Sequence, residues 1–179
     1  MTRSGGDGAA SSRTGRTLAG GDAVGPVLRL DEPVSFWGGV DASGAVIDVH
    51  HPQHGQSLAG TVLVMTEGRG SSSATAVLAE QIRSGAAPAA LVLGSCDTIL
   101  LIGALVAAEL YGVRMPVVEV DPADLDRIGP GTVRVYADDD TGRALVQPVD
   151  DPPSNSRSNP PGNPPGNPPA DPDTPEEPR

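Results

Sequence analysis

Lysine is absent from this chain: all 12 basic residues are arginine, and 23 acidic residues leave a formal net charge of −11. That excludes two functions at once. A Walker A phosphate loop needs a lysine, and a nucleic-acid footprint needs a basic stripe that no region supplies. Residues 22–149 alone carry seven arginines against sixteen acids. Aromatic residues are nearly missing too, with one Trp, two Tyr and one Phe, so no platform exists for stacking bases. The single cysteine, Cys96, cannot close an internal disulfide and cannot by itself hold an iron–sulfur cluster, which takes several thiolates. Any cluster has to be held by another chain. No apolar run approaches the ~18 residues of a membrane span, and the first residues lack the apolar core of a secretory signal. A soluble, cytoplasmic protein with neither a nucleic-acid nor a membrane partner is the expectation.

The 179 residues favour one globular domain between two unstructured ends. Residues 1–21 are mostly Gly, Ser, Thr, Ala and Arg with no apolar periodicity, so a disordered arm is expected there. From Asp150 the composition narrows to Pro, Asn, Ser, Gly and acid, with Asn-Pro-Pro-Gly at 159–162 and again at 163–166. Residues 150–179 read as an extended, disordered, solubilising tail rather than a polyproline ligand. The domain proper is residues 22–149.

Its first half is β-rich, with short runs at 24–30, 33–37 and 45–49 separated by Asp-Glu, Gly-Gly and Ser-Gly pairs. Its second half alternates. The run 61–65 predicts a strand, and 74–84 predicts a helix with Ala74, Val77, Leu78 and Ile82 on one face. The run 89–93 predicts a strand covered on both faces, 98–111 a helix apolar nearly all round, and 115–120 a third strand. Such a helix must be buried on most sides, in this domain or under a partner. Strand, helix, strand, helix, strand is the order of right-handed crossovers in a parallel sheet, so the fold class is α/β. A short helix after Asp121-Pro122 and a hairpin of 132–136 with 143–149 complete it.

Chemistry concentrates in Gly68-Arg69-Gly70-Ser71-Ser72-Ser73, which joins the first of these strands to the first helix. Two glycines let the backbone turn sharply, and the first turn of a helix presents unpaired N–H groups above the strand end. The turn itself leaves two readings open: a site where a serine acts on an anionic substrate, or an N-cap with spare hydroxyls. The dinucleotide fingerprint is matched only in part, since Ser73 stands where its third glycine belongs and Asp97 lies somewhat beyond the usual acidic position. No G-x-S-x-G elbow occurs. Trp37, beside Gly38-Gly39, marks either bare backbone open to a ligand or subunit, or a tight turn with a core Trp. All three histidines fall in His50-His51-Pro52-Gln53-His54, where no carboxylate or thiol intervenes, so a loop that is solvated or that supports other residues of a site is favoured over a metal site. Asp138-Asp139-Asp140-Thr141-Gly142 lacks the full calcium-loop spacing and reads as a solvated turn.

Four separated stretches share one resemblance. Ser35-Phe36-Trp37-Gly38-Gly39-Val40-Asp41, then Asp48 to Gly55, then Gly68-Arg69-Gly70-Ser71-Ser72, then Ala86-Ala87-Pro88-Ala89-Ala90 resemble the small, swivel-domain subunit of the aconitase X family, from about Ala23 to Gln147. The resemblance implies a swivelling β/β/α domain of aconitase type that closes over a large subunit. It also implies that cysteines of that large subunit hold the iron-sulfur cluster or iron. Known members dehydrate cis-3-hydroxy-L-proline or mevalonate 5-phosphate. More distantly, aconitase and isopropylmalate isomerase carry a G-x-G-S-S-R turn in this domain, with the first serine as base. Matched residue by residue, the catalytic base falls on Ser71, and Arg69, Gly70, Ser72 and Ser73 become substrate-binding residues. Ser73 stands where those enzymes have Arg, and Arg69 replaces that anion contact from the other side of the serine. The function this resemblance implies is the small subunit of a hydro-lyase, inactive alone and completed as a heterodimer. Its substrate is expected to be cis-3-hydroxy-L-proline rather than mevalonate 5-phosphate, because one arginine suits a carboxylate. The alternative from another class is a non-catalytic, anion-binding or regulatory swivel module.

Overall fold

The structure, a computed structural model, describes residues 12–149. Its strands are β1 (Arg13–Ala19), β2 (Gly21–Arg29), β3 (Val62–Met65), β4 (Ala90–Leu93), β5 (Val117–Val120), β6 (Thr132–Ala137) and β7 (Arg143–Pro148). Three helices lie between them: α1 (Ala74–Ser84), α2 (Thr98–Tyr111) and the short α3 (Pro122–Leu125). The strands close into a barrel in the order β1-β5-β4-β3-β2-β6-β7, with β7 returning to β1. Strands β2, β3, β4 and β5 run parallel, and every other pairing is antiparallel.

The unbroken apolar runs of β3 and β4 follow from having a core on each face. Val62, Val64, Ala90 and Val92 point into the barrel with Val118, Val135 and Val146. Leu63, Met65, Leu91 and Leu93 point outward onto a second core that holds Leu78, Ile82, Leu100 and Ala104 of the two long helices. Full burial of each leucine contributes about 1.5–3 kcal/mol, so the alternation along four-residue strands ties both layers together. This is the β/β/α layering implied by the resemblance. Helix α1 stops at Gly85 and α2 at Gly112, both in the left-handed conformation that glycine adopts without penalty. The apolar character of α2 is only half used: Leu100, Ala104 and Ala107 are buried, whereas Ile102, Leu105 and Leu110 face solvent.

Two expectations need correction. The arm expected at 1–21 is not disordered over its described part, because residues 13–19 form β1 and β2 begins at Gly21. Strand β1 is held by backbone pairing on both edges, to β5 and to β7, and by side-chain charge, neither of which leaves an apolar period in the sequence. Residues 1–11, and the tail expected at 150–179, lie outside the described residues. The runs 33–37 and 45–49 are also not strands. They belong to a long excursion between β2 and β3 that makes only isolated bridges, Ser35 with Arg69, Val40 with Val46 and Ala45 with Ser57. Its apolar residues Val34, Phe36, Val40, Val46 and Leu58 are buried in the helix-side core, so the pattern reports burial without pairing.

Charge fastens β1. The Arg16 guanidinium donates through Nε and Nη2 to Glu119 Oε2, at 2.9 and 2.6 Å, while Cys96 N–H donates to Glu119 Oε1 at 3.0 Å. The Arg16 hydrogen bond chiefly, helped by the Cys96 N–H against partial desolvation, holds the Glu119 carboxyl below the usual glutamate range. A depressed folded-state pKa stabilises the protein above the unfolded value, and that contribution is lost as pH falls through the lowered folded value. Glu119→Gln should therefore lose stability at neutral pH and converge on the wild type as the solution is acidified. Thermal denaturation across that window checks this, and a deficit of equal size at both ends would reject it.

Candidate active-site turn

The parallel strands β3, β4 and β5 end on the same rim of the barrel, and the turn 66–73 rises from it into α1. Gly70 has φ +124°, a conformation that side chains rarely adopt, and a Cβ built there would overlap the Ser35 hydroxyl. Glycine is required so that the 35–37 segment can lie against the turn. The bridge between Ser35 and Arg69 fixes that contact, and Ser35 Oγ donates onward to the Trp37 carbonyl at 2.8 Å. On the other flank, a Cβ at Gly68 would fall inside the Asp97 carboxylate. Asp97 Oδ1 accepts from Ile99 N–H and Leu100 N–H at 2.8 and 3.0 Å, capping α2. The acidic residue weighed for a dinucleotide fingerprint is therefore spent on a helix start.

All of Arg69, Gly70, Ser71, Ser72 and Ser73 are exposed. Ser73, at the N-cap position, makes no side-chain cap; instead Ser71 Oγ accepts from Ser73 N–H at 3.2 Å, and the Ser71 carbonyl accepts from Ala74 N–H at 2.9 Å. Ser71 thus closes the turn that leads into α1 through both its hydroxyl and its carbonyl. A donor aimed at Oγ favours the oxygen carrying negative charge, and the helix start adds its positive end in the same direction. Among the described residues the N–H groups of Ser71 and Ser72 have no partner, which leaves them open to an anion.

Arginine placement separates this turn from the rest of the surface. Of the nine arginines described, seven form an ion pair with a carboxylate. Arg69 and Arg143 do not, and Arg69 alone sits beside the serines.

The histidine loop divides between the two expected forms, part exposed and part packed. His51 is buried: its Nδ1 accepts from Gln53 N–H at 3.1 Å and its Nε2–H donates to the Glu32 carbonyl at 2.9 Å, which defines the neutral Nε2–H tautomer. Gln53 Nε2 also donates to Asp31 at 2.6 Å. His50 and His54 are exposed, so the three rings do not converge. The loop braces the chain just before Ser35. Asp138 closes the β6–β7 turn by accepting from Thr141 Oγ1, Asp140 N–H and Thr141 N–H. Sequence reasoning missed Ser35 and the packing role of Asp97. The two glycines were the available signal, since each is bare because one of these side chains lies against it.

The family model for the aconitase X swivel domain matches residues 12–145, β1 included. The cis-3-hydroxy-L-proline dehydratase of Pseudomonas aeruginosa is 48% identical over 103 residues, 57% of this chain. Those residues are 18% of that dehydratase, so this chain spans less than a fifth of its length. The phosphomevalonate dehydratase small subunit of Methanothermobacter thermautotrophicus is 36% identical over 129 residues, 72% of this chain and 94% of that subunit. The crystal structure of Thermococcus kodakaraensis aconitase X in its holo-form superposes with a TM-score of 0.63 at 33% identity, covering 76% of this chain and 98% of that one. The chain belongs to the aconitase X swivel-domain family.

Proposed function

We propose that this chain is the small swivel subunit of an aconitase X-type hydro-lyase, that Ser71 is its proton-abstracting base, and that Arg69 binds the substrate anion. The observation that carries this reading is an exposed serine at a helix start, with an N–H aimed at its Oγ and an arginine free of carboxylates beside it. Dehydration of a hydroxy acid breaks a C–H bond next to the acid group and a C–O bond on the neighbouring carbon. Ser71 Oγ, as alkoxide, takes the C–H proton; the electron pair left behind becomes the new C=C bond as the hydroxyl departs with its own pair. Serine is a weak base in water. The Ser73 N–H, the α1 N-terminus and the Arg69 charge each favour the alkoxide, most strongly once a closed site excludes solvent. Arg69 and the open N–H groups of Ser71 and Ser72 hold the substrate's carboxylate, while Gly70 and Ser73 shape the nest that receives it.

An iron centre does not fit the residues of this chain. Cys96 is the single thiol, and among the described residues no three His, Cys, Asp or Glu side chains gather to hold a metal. The iron-sulfur cluster or iron, in this proposal, is held by a large subunit, and no step on this chain runs through it. Cis-3-hydroxy-L-proline is the favoured substrate: the one unpaired cation beside Ser71 matches one carboxylate, and the dehydratase named for that substrate is 48% identical over the matched residues. Mevalonate 5-phosphate is the second reading, favoured by length, because the phosphomevalonate dehydratase small subunit is matched over 94% of itself. The test is to assay the full chain with and without the cysteine-bearing large subunit against both substrates. Dehydration of one of them by the pair only is expected. Full turnover by the isolated chain, or none by the pair, rejects the proposal.

A further inference from the structure

A groove of about 750 Å³ lies beside the Ser71 turn, between α1 and the 36–42 loop. Trp37, Val40 and Asp41 form one wall, and Ala76, Val77 and Gln81 the other. Three features of this groove are unexplained by the fold of one chain. Trp37 is 58% exposed although its loop is held in place by fully buried Phe36, by the Ser35 Oγ donation to Trp37 O and by the Gly39 N–H donation to Ser35 O. A large aromatic ring is thus presented to solvent on a fixed backbone, with exposed Ile47 attached to the same loop through its N–H to Gly39 O. Gln81 is 2% exposed; its Nε2 donates to Asp41 O at 2.8 Å, but its Oε1 is buried without a partner. A buried acceptor left unmet is costly, so a donor entering the groove is favoured. Asp41 lines the groove in a domain whose residues 22–149 carry seven arginines against sixteen acids, which selects a basic visitor, whereas Glu80 is already paired with Arg83.

We infer that this groove seats the large subunit: a segment of that chain with an apolar side chain bearing an N–H or O–H donor packs under Trp37, meets Gln81 Oε1 and places a basic residue at the rim. The inference rests on the two-subunit reading above and adds the surface on which the pair forms. Position supports it. The groove wall at Ala76 and Val77 is the first turn of the helix that Ser71 opens, and Ser35 touches both the Ser71 turn and the Trp37 loop. A chain that closes over Ser71 to exclude water therefore crosses this groove as it does so.

Trp37 is the only tryptophan, so 5-fluorotryptophan in the full chain gives a single ¹⁹F resonance that reports on the groove. Adding the large subunit is expected to shift that resonance. Trp37→Ala should weaken the pair at least about 30-fold, the scale of an aromatic hot spot, with turnover recovered at saturating large subunit. Ala76→Glu, at an exposed wall position, should weaken it as well, and circular dichroism verifies that both variants fold. If the pair is active but the resonance stays in place, or both variants bind like the wild type, the inference is overturned and the two-subunit reading survives. If no active pair forms, both fall. A shift of the isolated chain that grows with its own concentration, or one lost on removing 150–179, assigns the groove to a second copy or to the tail and also overturns the inference.

Discussion

Ser71→Ala is expected to lower kcat of the assembled dehydratase by about 10²–10⁴-fold, the range of a general base, with KM and subunit affinity close to wild type. The split follows from position. Ser71 Oγ is the acceptor for Ser73 N–H and carries the proposed proton transfer, whereas the proposed substrate contacts are those of Arg69 and the backbone N–H groups, which alanine leaves in place. Loss of the Ser73 contact removes one exposed hydrogen bond of the turn, worth about 0.5–1.5 kcal/mol at most, so a small fall in melting temperature is expected beside the collapse in turnover. The two readouts separate the readings of this turn. A hydroxyl that only caps a helix would give the stability change with turnover intact, and a kcat within a few-fold of wild type would reject Ser71 as the base.

How much of this was legible beforehand depended on where each interaction leaves its mark. The strands β3 and β4, the helices α1 and α2 and the β6–β7 hairpin are written in apolar period and in glycines at their ends, and their positions agree with the structure to within a residue or so. Strand β1 was illegible because its stability lies in backbone pairing on two edges and in Arg16 reaching Glu119, 103 residues away. Trp37 shows the reverse failure. Its composition admitted a core residue, yet Phe36 takes the buried place and the indole points out. The turn carrying Ser71 was legible through its glycines between β3 and α1, but the side chains that shape it were not. Ser35 and Asp97 come from separate loops, and only the closed barrel brings both against residues 68–70.

That convergence makes Gly68→Ala the second large expectation. A methyl group at 68 cannot coexist with the Asp97 carboxylate as placed, and Asp97 cannot swing away without releasing Ile99 N–H and Leu100 N–H at the start of α2. The Asp97 side chain is short, so rotation rather than bending must relieve the overlap. Loss of such a cap costs about 0.5–2 kcal/mol, and the strain that remains in the turn adds to it. Gly68→Ala alone and Asp97→Ala alone should each destabilise the protein by amounts of that order. The double variant separates cause from coincidence. If the two residues act on one contact, Gly68→Ala should cost little once Asp97 is alanine, giving a coupling of about 1 kcal/mol or more in denaturant titrations. Additive losses would mean that glycine serves only the backbone at 68 and that Asp97 caps α2 without touching the turn. Coupling, by contrast, would make the N-cap of α2 part of the support that holds Ser71 at the barrel rim, and Asp97→Ala would then lower kcat without contacting the substrate.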